Sequence, residues 1–542
     1  MKKRYLRLIA LILGAAILLS GCAMVDFTGY FRGMQAILGG SSFVAYESME
    51  YTRPDMDTIR AALDAAICTA ETEANGVETA MDAVYTFYDE YDWFYTNYSL
   101  ADIRYSSDLT DIYWEKEYNY CVDRSPEVDA MLEELYYALA QSPLREELEA
   151  EAYFGEGFFD SYEGENLWDE TFTALMVQES ELQSQYYALS AQVLDHEVGT
   201  AEYYDAAAED MAQLLVELIG LRQEIAAYWG YEDYVQFASD FYYYRDYTPA
   251  EMADYLVQVQ MELSEIYREI SDADFSAANA YSTEGQTFRY VRTAAKNMGG
   301  TIWEAFQLME DAGLYDISYG ENKYNASFEV YLTSYWEPFV FLNPSLTRYD
   351  CLTFAHEFGH FANDYACYGT YAGVDVTEFY SQGMEYLSLC YSDNTEDLVR
   401  VKLADSLCVY VEQSAFAAFE QQMYSLTGAE LSVEGLYGLY DEIARAYGFD
   451  SYDYDMREFV TIPHFYTNPL YVFSYVVSND AAMQLYQMEQ EEAGSGLALM
   501  EENLDAQVHY FGEFLDYTGL ESPFAPGRLR KVRQTFEAAF GK

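Results

Sequence analysis

The sequence predicts a mainly α-helical protein with one small β-hairpin, and three features of the chain carry that expectation. Apolar and aromatic residues recur every three or four positions through most of it, the spacing of one face of a helix. Proline, which cannot donate a backbone N–H inside a helix, occurs only ten times in 542 residues. Alternation with a period of two, the mark of a half-buried strand, is confined to one stretch.

From the N-terminus, residues 1–21 read as an export signal. Lys2, Lys3, Arg4 and Arg7 form a basic head, and residues 8–19 give an apolar run too short for the roughly 20 positions that cross a bilayer. Leu19-Ser20-Gly21-Cys22 resembles a bacterial lipobox, so Cys22 is expected to become an acylated N-terminus, with two or more chains anchoring the protein at the outer face of the cell membrane. An uncleaved anchor is the alternative. Residues 22–54, rich in Gly and Ser with weak periodicity, read as a tether. An N-terminal helical region follows at 55–200, with helical spacing over 57–70, 77–98, 127–140 and 169–191. Tyr85, Tyr88, Tyr91, Tyr95 and Tyr98 make a stripe in it, read as a packed face with wet hydroxyls. Residues 201–542 continue with helical spacing over 206–229, 250–270 and 303–312. There Phe328, Val330 and Leu332 alternate within 327–333, a turn falls at 334–338, and a second short apolar run occupies 339–343. No repeat or low-complexity block interrupts the chain.

Composition excludes several classes of function. With 51% apolar and 18% aromatic residues, including 57 tyrosines, the chain can bury large cores and is not of the disordered type. A formal charge of -65 repels nucleic acid phosphates, so nucleic acid is no partner. Arg528, Arg530, Lys531 and Arg533 are a local exception, read as pairing with nearby carboxylates. Six cysteines follow Cys22, but no Cys-x-x-Cys spacing suggests a thiolate metal site. Cys351 and Cys367 flank a helical motif, about 24 Å apart along a helix, beyond the reach of a disulfide.

That motif carries the chemistry. Thr353 to Phe361 reads Thr-Phe-Ala-His-Glu-Phe-Gly-His-Phe, which places His356 and His360 four apart on one helix face, where two imidazoles can share a zinc ion. Glu357, the next position around the helix, can take a proton from a metal-bound water without ligating the metal. A catalytic zinc ordinarily keeps three protein ligands, and two glutamates compete for the third place. Glu378 and Glu385 lie on the next helical stretch, on one stripe with Ser381 and Gln382, and spacing leaves both open. A local role for Glu378, capping a helix together with Asp375, is the alternative to ligation.

The segment Asp375-Val-Thr-Glu378-Phe-Tyr-Ser381-Gln382-Gly-Met-Glu385, downstream of His-Glu-Phe-Gly-His, resembles the thimet oligopeptidase and oligoendopeptidase F family of zinc peptidases. Ile462-Pro-His464-Phe-Tyr-Thr-Asn-Pro469-Leu-Tyr471-Val-Phe-Ser-Tyr475 is similar to the family's C-terminal His and Tyr segment, and a weaker pattern around Leu221-Arg222, Ala226, Gly230-Tyr231 and Tyr234 agrees. The likeness covers about residues 200–540. It implies a two-lobed helical zincin-type fold with a deep substrate channel and one zinc ion held by His356, His360 and Glu378. It further implies Glu357 as general base, Glu385 and Gln382 behind the ligands, and His464 with Tyr471 or Tyr475 donating to the oxyanion. Asn363 stands where the family often has a further histidine, which implies altered support of the ligands. Phe473 occupies a place that holds a tyrosine in some relatives, so the tyrosine register stays open. The implied activity is internal cleavage of short unfolded peptides, with 368–373 as a candidate mobile loop and the hairpin as a candidate edge for pairing with substrate. A zinc carboxypeptidase or dipeptidyl carboxypeptidase and a non-catalytic peptide-binding lipoprotein are the alternatives. The oligomeric state is not legible in the sequence.

Overall fold

Helix α1 (Met56–Ala70) starts where Asp55 accepts the backbone N–H of Asp57 at 3.2 Å, a side-chain N-cap. It is the first α-helix among the described residues of a computed structural model, which describes residues 44–151, 153–162, 169–193, 196, 200–271, 273–369, 372–451 and 454–541. The signal segment, Cys22 and the first part of the tether lie outside the described residues. Helices α2 (Val77–Ser107) and α3 (Ile112–Ala140) complete a first apolar core with α1, built on Ile59, Leu63, Val84, Phe87, Phe94, Leu135 and Tyr136. The tyrosine stripe of α2 packs into it: Tyr88, Tyr91 and Tyr98 are buried, and Tyr88 donates to the Tyr136 hydroxyl at 3.1 Å. Helix α3 begins well before its expected start and carries Pro126 in its interior. Proline leaves the Val122 carbonyl without its helical donor, and the Ser125 hydroxyl supplies one at 3.1 Å.

A second, larger core gathers helices that include α4 (Glu170–Gln192), α5 (Ala201–Tyr228), α6 (Pro249–Tyr267), α7 (Glu284–Met298) and α8 (Gly300–Ala312). The sheet follows, and after it α9 (Asp350–Cys367), α10 (Val374–Tyr391), α11 (Glu396–Cys408), α12 (Ser414–Met423), α13 (Val472–Glu491) and α14 (Arg528–Phe540). Strands β2 (Ser327–Leu332) and β3 (Glu337–Leu342) form the expected antiparallel hairpin, with Val330 opposite Phe339. A strand absent from the sequence reading, β1 (Tyr315–Asp316), pairs parallel to β3, giving the order β1-β3-β2. Two residues show no periodicity, which hides it from the sequence.

The two cores meet at the hairpin. Thr333 donates to the Asp92 carbonyl at 2.9 Å and the Ser334 N–H reaches the Thr96 hydroxyl at 2.8 Å. Residues 44–54, expected as the end of a tether, are docked here: Val44 N–H donates to Glu337 at 2.8 Å and the Tyr46 ring lies 4.4 Å from Phe339. Their apolar side chains, among them buried Met49, account for the docking. Each basic residue of α14 finds a carboxylate, Arg528 with Asp480, Arg530 with Glu262, Lys531 with Glu521, and Arg533 with Glu265 and Glu537. Among the described residues Cys68, Cys121, Cys351, Cys367, Cys390 and Cys408 form no disulfide.

Candidate metal centre

Helices α9 and α10 cross at Gly359, between the two motif histidines. A Cβ built there would stand 2.5 Å from the Ser381 Cα and the Tyr380 carbonyl oxygen, so no larger residue permits the approach. The crossing brings Glu378 over the histidine face of α9. His356 and His360 lie one turn apart with ring centroids at 5.1 Å. Glu378 Oε2 is 3.5 Å from His356 Nε2 and 3.9 Å from His360 Nε2. One ligand atom from each of the three falls within 4.8 Å of the others. Two imidazole nitrogens and a carboxylate oxygen are the donor set of a catalytic zinc with an open fourth position. Helix α10 starts after Gly373 without a side-chain cap, so Glu378 is not engaged in capping, and Asp375 accepts instead from the Tyr247 hydroxyl at 2.6 Å.

Glu385 sits behind His356. Its Oε1 is 3.0 Å from His356 Nδ1, and Lys402 Nζ on α11 reaches its Oε2 at 2.8 Å. Lys402 also approaches Asp405 at 3.4 Å, which accepts from the Tyr349 hydroxyl at 3.1 Å. With Nδ1 engaged, His356 turns Nε2 toward Glu378 and His360, the orientation a metal ligand needs. Burial opposes protonation of His356, but the Glu385 hydrogen bond and the carboxylates of Glu378, Glu357 and Glu385 raise its pKa to about 9. His360, partly buried and facing His356, is lowered well below the ordinary histidine value by desolvation and by the His356 charge.

Glu357 is held from the sheet. Its Oε1 accepts from the Ser327 hydroxyl on β2 at 2.7 Å, and its Oε2 is buried with no hydrogen-bond partner in the protein. Burial pushes its pKa up to about 7, partly opposed by His356 and the Ser327 hydrogen bond. Neither Ser327 nor Lys402 was singled out by the sequence; each acts across tertiary packing that leaves no local spacing signal.

The C-terminal segment reaches the same place. His464, 3% exposed, stacks on Tyr471 with ring centroids at 5.7 Å and meets Tyr475 edge-on at 5.9 Å. The Tyr471 hydroxyl donates to Glu378 Oε1 at 2.6 Å, so here it contacts the third ligand candidate. Tyr475 is buried beside it, 4.9 Å away between rings, and its carbonyl accepts from Gln382 Nε2 at 3.2 Å. Phe473 turns away, packing with Tyr247, Tyr255 and Phe524, whereas Tyr471 and Tyr475 lie against His464. The Asn363 amide donates to the Leu504 carbonyl at 2.8 Å and to Cys367 Sγ at 3.4 Å. In the connector, Tyr368 ends α9 in the left-handed region, while Thr370 and Tyr371 lie outside the described residues.

Comparison with known proteins agrees with this geometry. Residues 46–166 match the Peptidase M3 N-terminal domain. No curated protein matches the chain. Among solved structures, a protein assigned as oligoendopeptidase F superposes with a TM-score of 0.77 at 20% identity, covering 92% of this chain and 99% of its own. Another so assigned, from Bacillus anthracis str. Ames, gives 0.73 at 20% identity, covering 93% and 99%. PZ peptidase A with an inhibitor gives 0.77 at 18% identity, covering 92% and 99%. At such identities the superpositions speak for the fold. Joined to the N-terminal domain match over 46–166, they show that most of the chain has the helical fold of these peptidases.

Proposed function

We propose that the protein is a zinc-dependent oligopeptidase that hydrolyses internal bonds of short, unfolded peptides at the outer face of the cell membrane, anchored through acylated Cys22. The observation that carries the reading is the convergence of His356, His360 and Glu378 beside a Glu357 carboxyl that keeps one buried oxygen without a protein partner. Those three residues would hold a zinc ion, which would supply acidification of the attacking water and a positive charge for the scissile carbonyl oxygen. Glu357 accepts the proton of the attacking water and returns it to the leaving amine; a carboxyl pushed up to about 7 suits both transfers. His464 and the Tyr471 and Tyr475 hydroxyls are placed to stabilise charge as it develops on the carbonyl oxygen. Strand β2, at the edge of the described sheet and next to Glu357 through Ser327, offers backbone groups to an extended peptide. Burial of His356, Glu357, Glu378 and His464 restricts access to slender, unfolded chains.

Product mapping on a short peptide, supplied with a free and with an amidated C-terminus, tests the mode of cleavage. Internal cuts in both forms are expected, whereas cleavage of the free acid alone overturns the endopeptidase reading in favour of a carboxypeptidase. For the anchor, fatty-acid labelling that disappears in Cys22→Ala is expected, and labelling that persists contradicts it.

A further inference from the structure

The segment carrying His464 and Tyr471 is gripped through its backbone by buried polar side chains. Arg222 on α5, fully buried, donates Nη1 to the Phe465 carbonyl at 2.7 Å and Nη2 to the Tyr466 carbonyl, while its Nε pairs with Glu179 at 2.7 Å. The Tyr243 hydroxyl donates to the Pro469 carbonyl at 2.6 Å. Leu470 is held on both sides: Glu420 Oε1 on α12 accepts its N–H at 2.7 Å, and Arg245 Nη2 donates to its carbonyl at 2.9 Å. Arg245 also donates to the Ser474 hydroxyl at 2.9 Å and lies against the Tyr243 ring at 4.4 Å.

Leu470 is fully buried with φ at 67°, a left-handed conformation that glycine adopts freely and leucine resists. The next residue is Tyr471, whose hydroxyl stands 2.6 Å from Glu378 Oε1. A leucine released from this conformation would turn the following peptide plane and swing Tyr471 off Glu378. Titratable side chains buried this deeply are costly, and their hydrogen bonds go to main chain rather than only to each other.

We infer that Arg245 and Glu420 are positioning residues, which hold Leu470 in its left-handed conformation and so deliver the Tyr471 hydroxyl to the metal centre. This rests on the peptidase reading above. Neither side chain is placed to touch substrate; both act through Tyr471.

The test is a double-mutant cycle on the zinc-loaded full chain, read by kcat, KM and zinc affinity. Glu420→Ala is expected to lower kcat ~10²-fold, the scale of an ångström-sized misplacement of a catalytic group, with a smaller change in KM. Glu420→Gln, which keeps the acceptor oxygen, loses less. Adding Leu470→Gly to Glu420→Ala restores activity in part, because glycine adopts φ near 67° without the steric cost that leucine pays. In a Tyr471→Phe background Glu420→Ala costs little more, since the group it positions is gone. Full additivity with Tyr471→Phe, or no rescue by glycine, overturns the inference. Should Glu420→Ala fail to fold, Arg245→Lys enters the same cycle with the same two criteria. An inactive wild-type chain removes the peptidase reading and this inference together, whereas an active wild type with an additive cycle removes only this inference.

Discussion

Helix α2 and the crossed pair α9 and α10 bury polar groups by opposite rules. On α2 they are satisfied by their neighbours: Asn97 donates to the Trp93 carbonyl at 2.7 Å and accepts from Thr52 N–H at 2.7 Å, and the Tyr88 hydroxyl meets Tyr136. On α9 and α10, His356, Glu357, Glu378 and Glu385 are crowded together, and Glu357 Oε2 is left without a protein partner. Hydrogen bonds of the first kind contribute to folding and explain themselves. Carboxylates buried side by side cost stability, and their persistence points to chemistry.

If that contrast is right, substitutions in the two regions separate activity from stability. The largest effect is expected of Glu357→Gln, which should lower kcat by ~10²–10⁴-fold while the unfolding temperature holds or rises, because a costly buried acid is removed. Turnover equal to the parent would contradict the assignment of Glu357. Next come the two glutamates of α10. Glu378→Ala should lose zinc, whereas Glu385→Ala keeps it with ~10–100-fold weaker affinity, as for removal of a residue that supports a ligand. The reverse order, measured by chelator competition, would exchange their roles.

A smaller effect follows from pH. Burial pushes Glu412 and Glu420 up to about 8 in the larger core and Glu133 up to about 7 in the smaller one. The folded state therefore holds protons that an unfolded chain, titrating near 4.5, releases. That contribution is complete below about pH 4.5 and is lost as pH rises through 7 to 8. Metal-free protein should accordingly unfold at lower urea concentration at pH 8.5 than at pH 6, and a higher midpoint at pH 8.5 would count against the account. The smallest effect is expected on α2, where Tyr88→Phe should cost ~1 kcal/mol of stability and leave kcat unchanged. A loss of turnover there would break the contrast between the regions.

How much of this the sequence discloses depends on how local each signal is. His356, Glu357 and His360 are legible because their relation is set by one turn of helix. Glu378 and Glu385 share a stripe of α10, and choosing between them requires the crossing at Gly359, which sets Glu378 near His356 Nε2 and Glu385 behind Nδ1. Ser327 and Lys402 are not legible, since a serine on a strand and a lysine on a helix gain their roles only when distant segments pack. The hairpin is legible from its alternation, while β1 is too short to show any. Tyr471 is legible as a candidate, but its engagement of Glu378 depends on the left-handed Leu470, a conformation no leucine advertises.

The central claim is that the buried cluster on α9 and α10 works as a zinc-dependent peptidase centre. The most direct measurement is cleavage of a short quenched fluorescent peptide by the purified protein, with a zinc chelator and again after zinc is restored. The account predicts cleavage within the peptide that the chelator abolishes and zinc returns. Cleavage indifferent to the chelator, or none by a folded and zinc-loaded protein, would contradict it.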